Sequence, residues 1–111
     1  MNYIWKTFDK GSSIGTTGSE NGVIIRDEEN TFGARITLEK EGSIAPYSIT
    51  IGIYGIMFHT DFYANLEQSD IAFNHFKTKI EKVIEHNSIS ENERNSEWNK
   101  KQNNLLDSLT D

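Results

Sequence analysis

The sequence predicts an α+β domain: an antiparallel sheet of four to five strands, one long amphipathic helix packed on one face, and a second helix at the C-terminal end. Three observations point there. Residues 46–62 form the most apolar stretch of the chain, rich in the β-branched and aromatic side chains that a pleated, half-buried surface selects. Residues 65–86 switch to a helical period, with Leu66, Phe73, Phe76, Ile80, Val83 and Ile84 recurring on one side of the cylinder. Before both, short segments of alternating polarity lie between Gly- and Asn-rich punctuation, the pattern of strands joined by turns. At 111 residues the chain has the usual size of one domain. Residues 1–87 are expected to form its core and residues 88–111 a helical extension of the same domain.

Taken in order, residues 2–9 alternate Tyr3, Trp5 and Thr7 against Ile4, Lys6 and Phe8, which predicts a first strand. Residues 11–22 hold four glycines among hydroxyl side chains and are expected to be loop, with Asn21-Gly22 supplying the positive-φ pair of a tight turn. Residues 23–28 and 34–41 follow as two strands joined by a hairpin connection. In the second of them Ile36 and Leu38 face one way and Arg35, Thr37 and Glu39 the other, so that one side is expected to be wet. The apolar stretch then places Tyr47, Ile49, Ile51 and Ile53 inward. Gly52 and Gly55 predict a break, with residues 56–62 as a fifth strand or a continuation. The helix over 65–86 has Asn65 and Gln68 as a capping pair, with Ser69 as a competing start. Beyond it, Ser90 and Glu93 suggest a second cap, followed by a stripe of Trp98, Gln102, Leu105 and Leu109. A helix this polar must dock through Trp98, pair with another copy as a homodimer, or fray.

Seventeen acidic against eleven basic residues give a net charge of -6. That balance disfavours nucleic acid and anionic membranes as partners and suits a basic protein. The excess is spread evenly, five basic and eight acidic residues in 1–64 and six and nine in 65–111. The absence of cysteine removes disulfides, zinc-thiolate sites and thiol nucleophiles. No apolar run reaches the roughly 18 residues of a spanning helix, and a cytoplasmic location is expected.

Three constellations could carry chemistry. The Gly-rich loop could cradle an anion with successive backbone N–H groups, although it leads into a strand and brings Glu20 rather than a lysine, unlike the nucleotide-binding loops. His59 and Asp61, at i and i+2 of a strand, share a face and could bind a metal or act together as a base and its orienter; the plain reading is a hydrogen-bonded pair at the sheet rim. With Arg35 and Glu39 they form the candidate ligand or metal set, Arg35 or Arg26 serving an anion. Asp27, Glu28 and Glu29, joined by Glu39 and Glu41 on the neighbouring strand, could form an acidic edge for a basic protein; the plain reading is a solvated turn. His75 and His86 lie off the apolar stripe and are expected to be solvated. No nucleophile elbow, glycosidase carboxylate pair or cofactor motif is recognisable, so neither an enzyme nor a cofactor is expected.

The blocks Gly18-Ser-Glu-Asn-Gly22, Asp27-Glu28-Glu29, Ala34-Arg-Ile-Thr-Leu-Glu39 and Pro46-Tyr-Ser-Ile-Thr-Ile-Gly-Ile-Tyr-Gly-Ile-Met-Phe-His-Thr60 resemble, in this order, a group of small bacterial proteins over roughly residues 18 to 85. The resemblance implies a shared bacterial fold and nothing catalytic. A looser analogy, in size, acidity and α+β class alone, is to the immunity proteins of bacterial toxin systems. It implies a non-enzymatic module that neutralises a basic toxin.

Overall fold

A computed structural model describes residues 3–110. Its strands are β1 (Trp5–Thr7), β2 (Val23–Asn30), β3 (Ala34–Lys40), β4 (Tyr47–Ile53) and β5 (Met57–Tyr63), followed by the helices α1 (Leu66–His86) and α2 (Ser96–Thr110). All strand pairs are antiparallel and the sheet runs in chain order, β1-β2-β3-β4-β5. The predicted α+β architecture is therefore the observed one. Among the described residues no helix is long and apolar enough to cross a membrane.

Register decides which side chains meet α1. Ile36 pairs with Ile51 and Leu38 with Ile49, so the isoleucines and leucine of the two central strands stack on one face. Phe73, Phe76, Ile80, Val83 and Ile84 cover them from above, and Leu109 closes the end of the same core. This face also carries Arg26 and Glu28, which oppose Leu38 and Ile36, and His59 and Asp61, which oppose Ile51 and Ile49. A register shift between Ile24 and Arg26 marks a bulge, and it turns Ile24 to the other face, opposite Glu39.

The helix over 65–86 starts where Asn65 caps it: the Asn65 Oδ1 accepts the Gln68 N–H at 2.8 Å. Ser69, the competing start, is buried one turn in and returns its hydroxyl proton to the Leu66 carbonyl. At the other end Asn87 donates its side-chain amide to the Val83 carbonyl at 2.7 Å.

Two elements differ from the expectation. The first strand ends at Thr7 instead of running through 2–9, of which Asn2 lies outside the described residues. Phe8–Gly11 forms a tight turn in which Asp9 and Lys10 take left-handed φ of 47° and 54°, held by the Ser12 hydroxyl donating to Asp9 at 2.6 Å. The second cap also moves. Ser90 opens only a short 3-10 turn, Glu91–Glu93, without a side-chain cap, and α2 begins at Ser96, where Asn95 Oδ1 accepts the Trp98 N–H at 2.9 Å. Asparagine is as good an N-cap as serine, and here it sits beside the residue that docks.

That docking half-buries His86, contrary to the expectation of a solvated side chain. Its imidazole stacks on the Trp98 indole with centroids 4.4 Å apart and rings inclined by 11°. Trp98 Nε1 donates to the His86 carbonyl, and His86 Nε2 bonds the Trp98 carbonyl. Lys79 and Gln102 add hydrogen bonds to the Ser108 carbonyl and to Asn87. The α2 stripe thus docks on its own chain through Trp98, Gln102 and the buried Leu109, while Trp98 and Leu105 stay half-buried.

Candidate functional site

The helix-free face of the sheet is where the polar residues of β3 converge with the Gly-rich loop. Residues 11–22 fold back along the start of β2. Gly15 N–H donates to the Ile24 carbonyl, Ile24 N–H to Thr16, and Gly18 N–H to Gly22. Asn21 takes a positive φ of 63° to make the turn. The loop then crosses the sheet and does cradle an anion, but the anion is the protein's own. Glu39 Oε1 accepts the N–H groups of Glu20 and Gly22 at 3.1 Å each. Glu39 is left 1% exposed. Gly18 has to be glycine for the loop to sit this low, because a Cβ there would fall 2.2 Å from Glu39 Cδ.

Asp27 plays the matching role at the other side of β3. It is 1% exposed and accepts bonds from Arg35 Nε at 2.9 Å, Arg35 Nη2 at 2.7 Å, Thr37 Oγ1 at 3.1 Å and Ser13 Oγ at 2.8 Å. The Asp27 carboxylate holds the Arg35 guanidinium above its ordinary pKa. The guanidinium lies on the Phe8 ring, 3.6 Å from its centroid, which is what the tight turn after β1 accomplishes. The expected wet face of β3 is therefore half-covered: Thr37 and Glu39 are buried and only the Arg35 end reaches solvent.

Between loop and sheet remains a cleft of about 270 Å³, floored by Arg35, Thr37 and Thr50 and walled by Gly18, Ser19 and Phe58. Thr50 and Thr60 share a hydrogen bond at 3.0 Å beneath Phe58. The Phe58 ring lies over Gly52, whose missing side chain makes the room, since a Cβ would meet Phe58 Cε1 at 2.7 Å. Phe58 itself is 81% exposed, Tyr54 in the turn before it 83%, and Phe62 farther along the strand is also open to solvent.

The four residues considered as one ligand set do not meet. Arg35 and Glu39 are on the helix-free face, whereas His59 and Asp61 are on the α1 face of the edge strand β5. There His59 Nε2 and Asp61 Oδ1 lie 2.8 Å apart, half-buried at the sheet rim. Among the described residues no group of three or more His, Asp or Glu side chains is placed to hold a metal ion. Beside Asp61, burial and then the Asp61 charge push the Tyr63 phenol up to about 12.

The acidic edge is divided in the same way. Asp27 and Glu29 point to the helix-free face and Glu28 to α1. Glu28 pairs with Arg26 at 2.7 Å and with Lys77; burial raises its pKa, but these two cations outweigh burial and hold it below the ordinary value. Arg26 is committed there too, its guanidinium 3.9 Å from the Phe73 centroid. Glu29 reaches Lys6 at 4.0 Å across the β1 edge, and Glu41 stands exposed in the turn after β3 with φ of 58°. Of the acidic edge residues Asp27, Glu28, Glu29, Glu39 and Glu41, only Glu29 and Glu41 keep carboxylates toward solvent.

Sequence reasoning passed over the exposed aromatics of β5. Their signal is the alternation of Phe58, Thr60 and Phe62 against Met57, His59 and Asp61, which places the large apolar side chains opposite to the isoleucine face once the register with β4 is known. Comparison of the chain with protein-family models, with curated proteins and with solved structures finds no match.

Proposed function

We propose that the chain is a non-enzymatic, cytoplasmic protein-binding module that receives a basic protein on the helix-free face of its sheet, alongside β5. The observation that carries this reading is the pair of aromatic side chains at 81% and 83% exposure, Phe58 and Tyr54, with Phe62 on the same strand. Large exposed aromatic side chains grouped on one strand and its turn are costly to leave in water, and aromatic residues supply most of the energy at the centres of protein interfaces. The net charge of -6, with Glu29 and Glu41 open to solvent, supplies the complementary long-range attraction for a basic surface. A toxin neutralised by this contact is the specific case that the likeness to immunity proteins suggests.

The test is affinity for candidate basic toxins at two ionic strengths, with the native chain and with Phe58→Ala. The expected result is binding that weakens with salt and loses at least about tenfold, roughly 1.4 kcal/mol, in the variant. Binding indifferent to both changes would remove the reading.

A further inference from the structure

A second cleft, of about 480 Å³, lies in the helical layer between the C-terminal half of α1 and the N-terminal half of α2. It is a half-open groove whose volume falls in the range of small-ligand sites. Its apolar lining is Trp98, Ile89 and Leu105, with His86 against the indole. The indole is fixed from both directions, stacked on His86 and 4.5 Å from the Arg94 guanidinium. Its Nε1 already donates to the His86 carbonyl, and His86 Nε2 already bonds the Trp98 carbonyl. The ring edges that remain therefore offer an occupant apolar contact and no competing hydrogen bond from those atoms.

The charges in the cleft do not follow the charge of the chain. Lys82 on α1 and Lys101 on α2 both line it, and among the described residues neither makes an ion pair or a side-chain hydrogen bond. The single carboxylate in the lining, Glu85, also acts electrostatically on the Tyr3 phenol. Two ammonium groups contributed by two helices thus stand against one carboxylate over an apolar surface. At physiological salt charges beyond about 8 Å are largely screened, so Lys82, Lys101 and Glu85 of the lining set what an incoming group feels first.

We propose that this cleft binds a small amphipathic carboxylate, an aromatic or medium-chain acid, with its apolar body against Trp98, Ile89 and Leu105 and its charge met by Lys82 and Lys101. The apolar part supplies affinity through area removed from water, and the lysines select the ionised head. The site is in the helical layer, away from the β5 face assigned to the protein partner, so either assignment can fail without the other.

Octanoate and its uncharged isostere octanamide are the probes. In a Trp5→Phe background Trp98 is the sole tryptophan, and its emission reports occupancy; calorimetry on the native chain gives a second reading that needs no substitution. Octanoate is expected to produce a saturable Trp98 shift and heat. Octanamide is expected to bind at least about tenfold more weakly, and Lys82→Gln with Lys101→Gln to lower octanoate to the octanamide level, as loss of charge-assisted contacts requires. Both lysines are exposed, so the double variant should keep the native unfolding temperature. Equal affinity for acid and amide, an unaffected double variant, or no saturable signal with octanoate would each overturn the proposal.

Discussion

Glu39 shows why polarity at a single position is a poor guide to exposure. Its place in an alternating strand assigns it to the polar side, and it is there, yet the loop that precedes β2 lays backbone donors over it and buries it. A buried carboxylate is tolerated where donors replace lost water, and here the Gly22 N–H and a Glu20 N–H shared between both oxygens do so. Gly18 is part of the same arrangement, since the loop descends onto the carboxylate only where no Cβ intervenes. Gly18→Ala should therefore cost about 1–3 kcal/mol, the range for stripping buried polar groups of their partners, read as a lower midpoint in urea. An unchanged midpoint would mean that the carboxylate moves aside without losing its donors.

Among the elements, β5 and α2 have the most to explain. An edge strand exposes a row of unpaired backbone groups, and β5 carries His59 and Asp61 pointing toward α1, inward polar side chains of the kind that discourage wrong edge pairing. On the opposite face the same strand presents Phe58 and Phe62, so one strand both guards its edge and offers a surface. The helix α2 is polar enough to be marginal alone, and its order comes from Leu109 in the core and from Trp98 against His86. A chain ending at residue 87 should lose at least about 1.5–3 kcal/mol, the worth of one fully buried leucine, and melt correspondingly lower. Its number of copies in solution should match that of the full chain, which size-exclusion with light scattering would read; a change would show that α2 also joins subunits.

At the scale of the whole molecule, extents of 44 × 28 × 20 Å describe two layers, sheet and helices, and on the far face of the sheet lie the Gly-rich loop and the Phe8 ring over Arg35. This leaves the cleft and the aromatics of the far face open by construction. The stability of the molecule should respond to alkali through Tyr63, whose phenol is pushed up to about 12 by burial and by Asp61. The unfolded chain ionises near the ordinary tyrosine value of about 10, so the neutral form is favoured only by the native state. Stability from this group is complete below about pH 10 and falls as pH rises toward the folded value. Tyr63→Phe should flatten that fall in a series of melting temperatures, and a variant with the native alkaline slope would show that another group governs it.

The local periods were enough to place β4 and α1, and left open whether β5 is a separate strand or a continuation of β4, because a two-residue or 3.6-residue alternation is set by neighbours in the chain and by which side chains avoid water. They also identified the isoleucine face and the phenylalanine stripe that covers it. What required the tertiary structure was every relation between separated polar groups. Asp27 meets Arg35 and Ser13, Glu39 meets the N–H groups of residues 20 and 22, and His86 meets Trp98 across connections whose length carries no signature of their path. Hydrophobic burial depends on amount and period, both local to a segment. Hydrogen bonds and ion pairs depend on direction and on a distance of a few ångströms, which are defined only once the strands have taken their register and the loop has chosen a face.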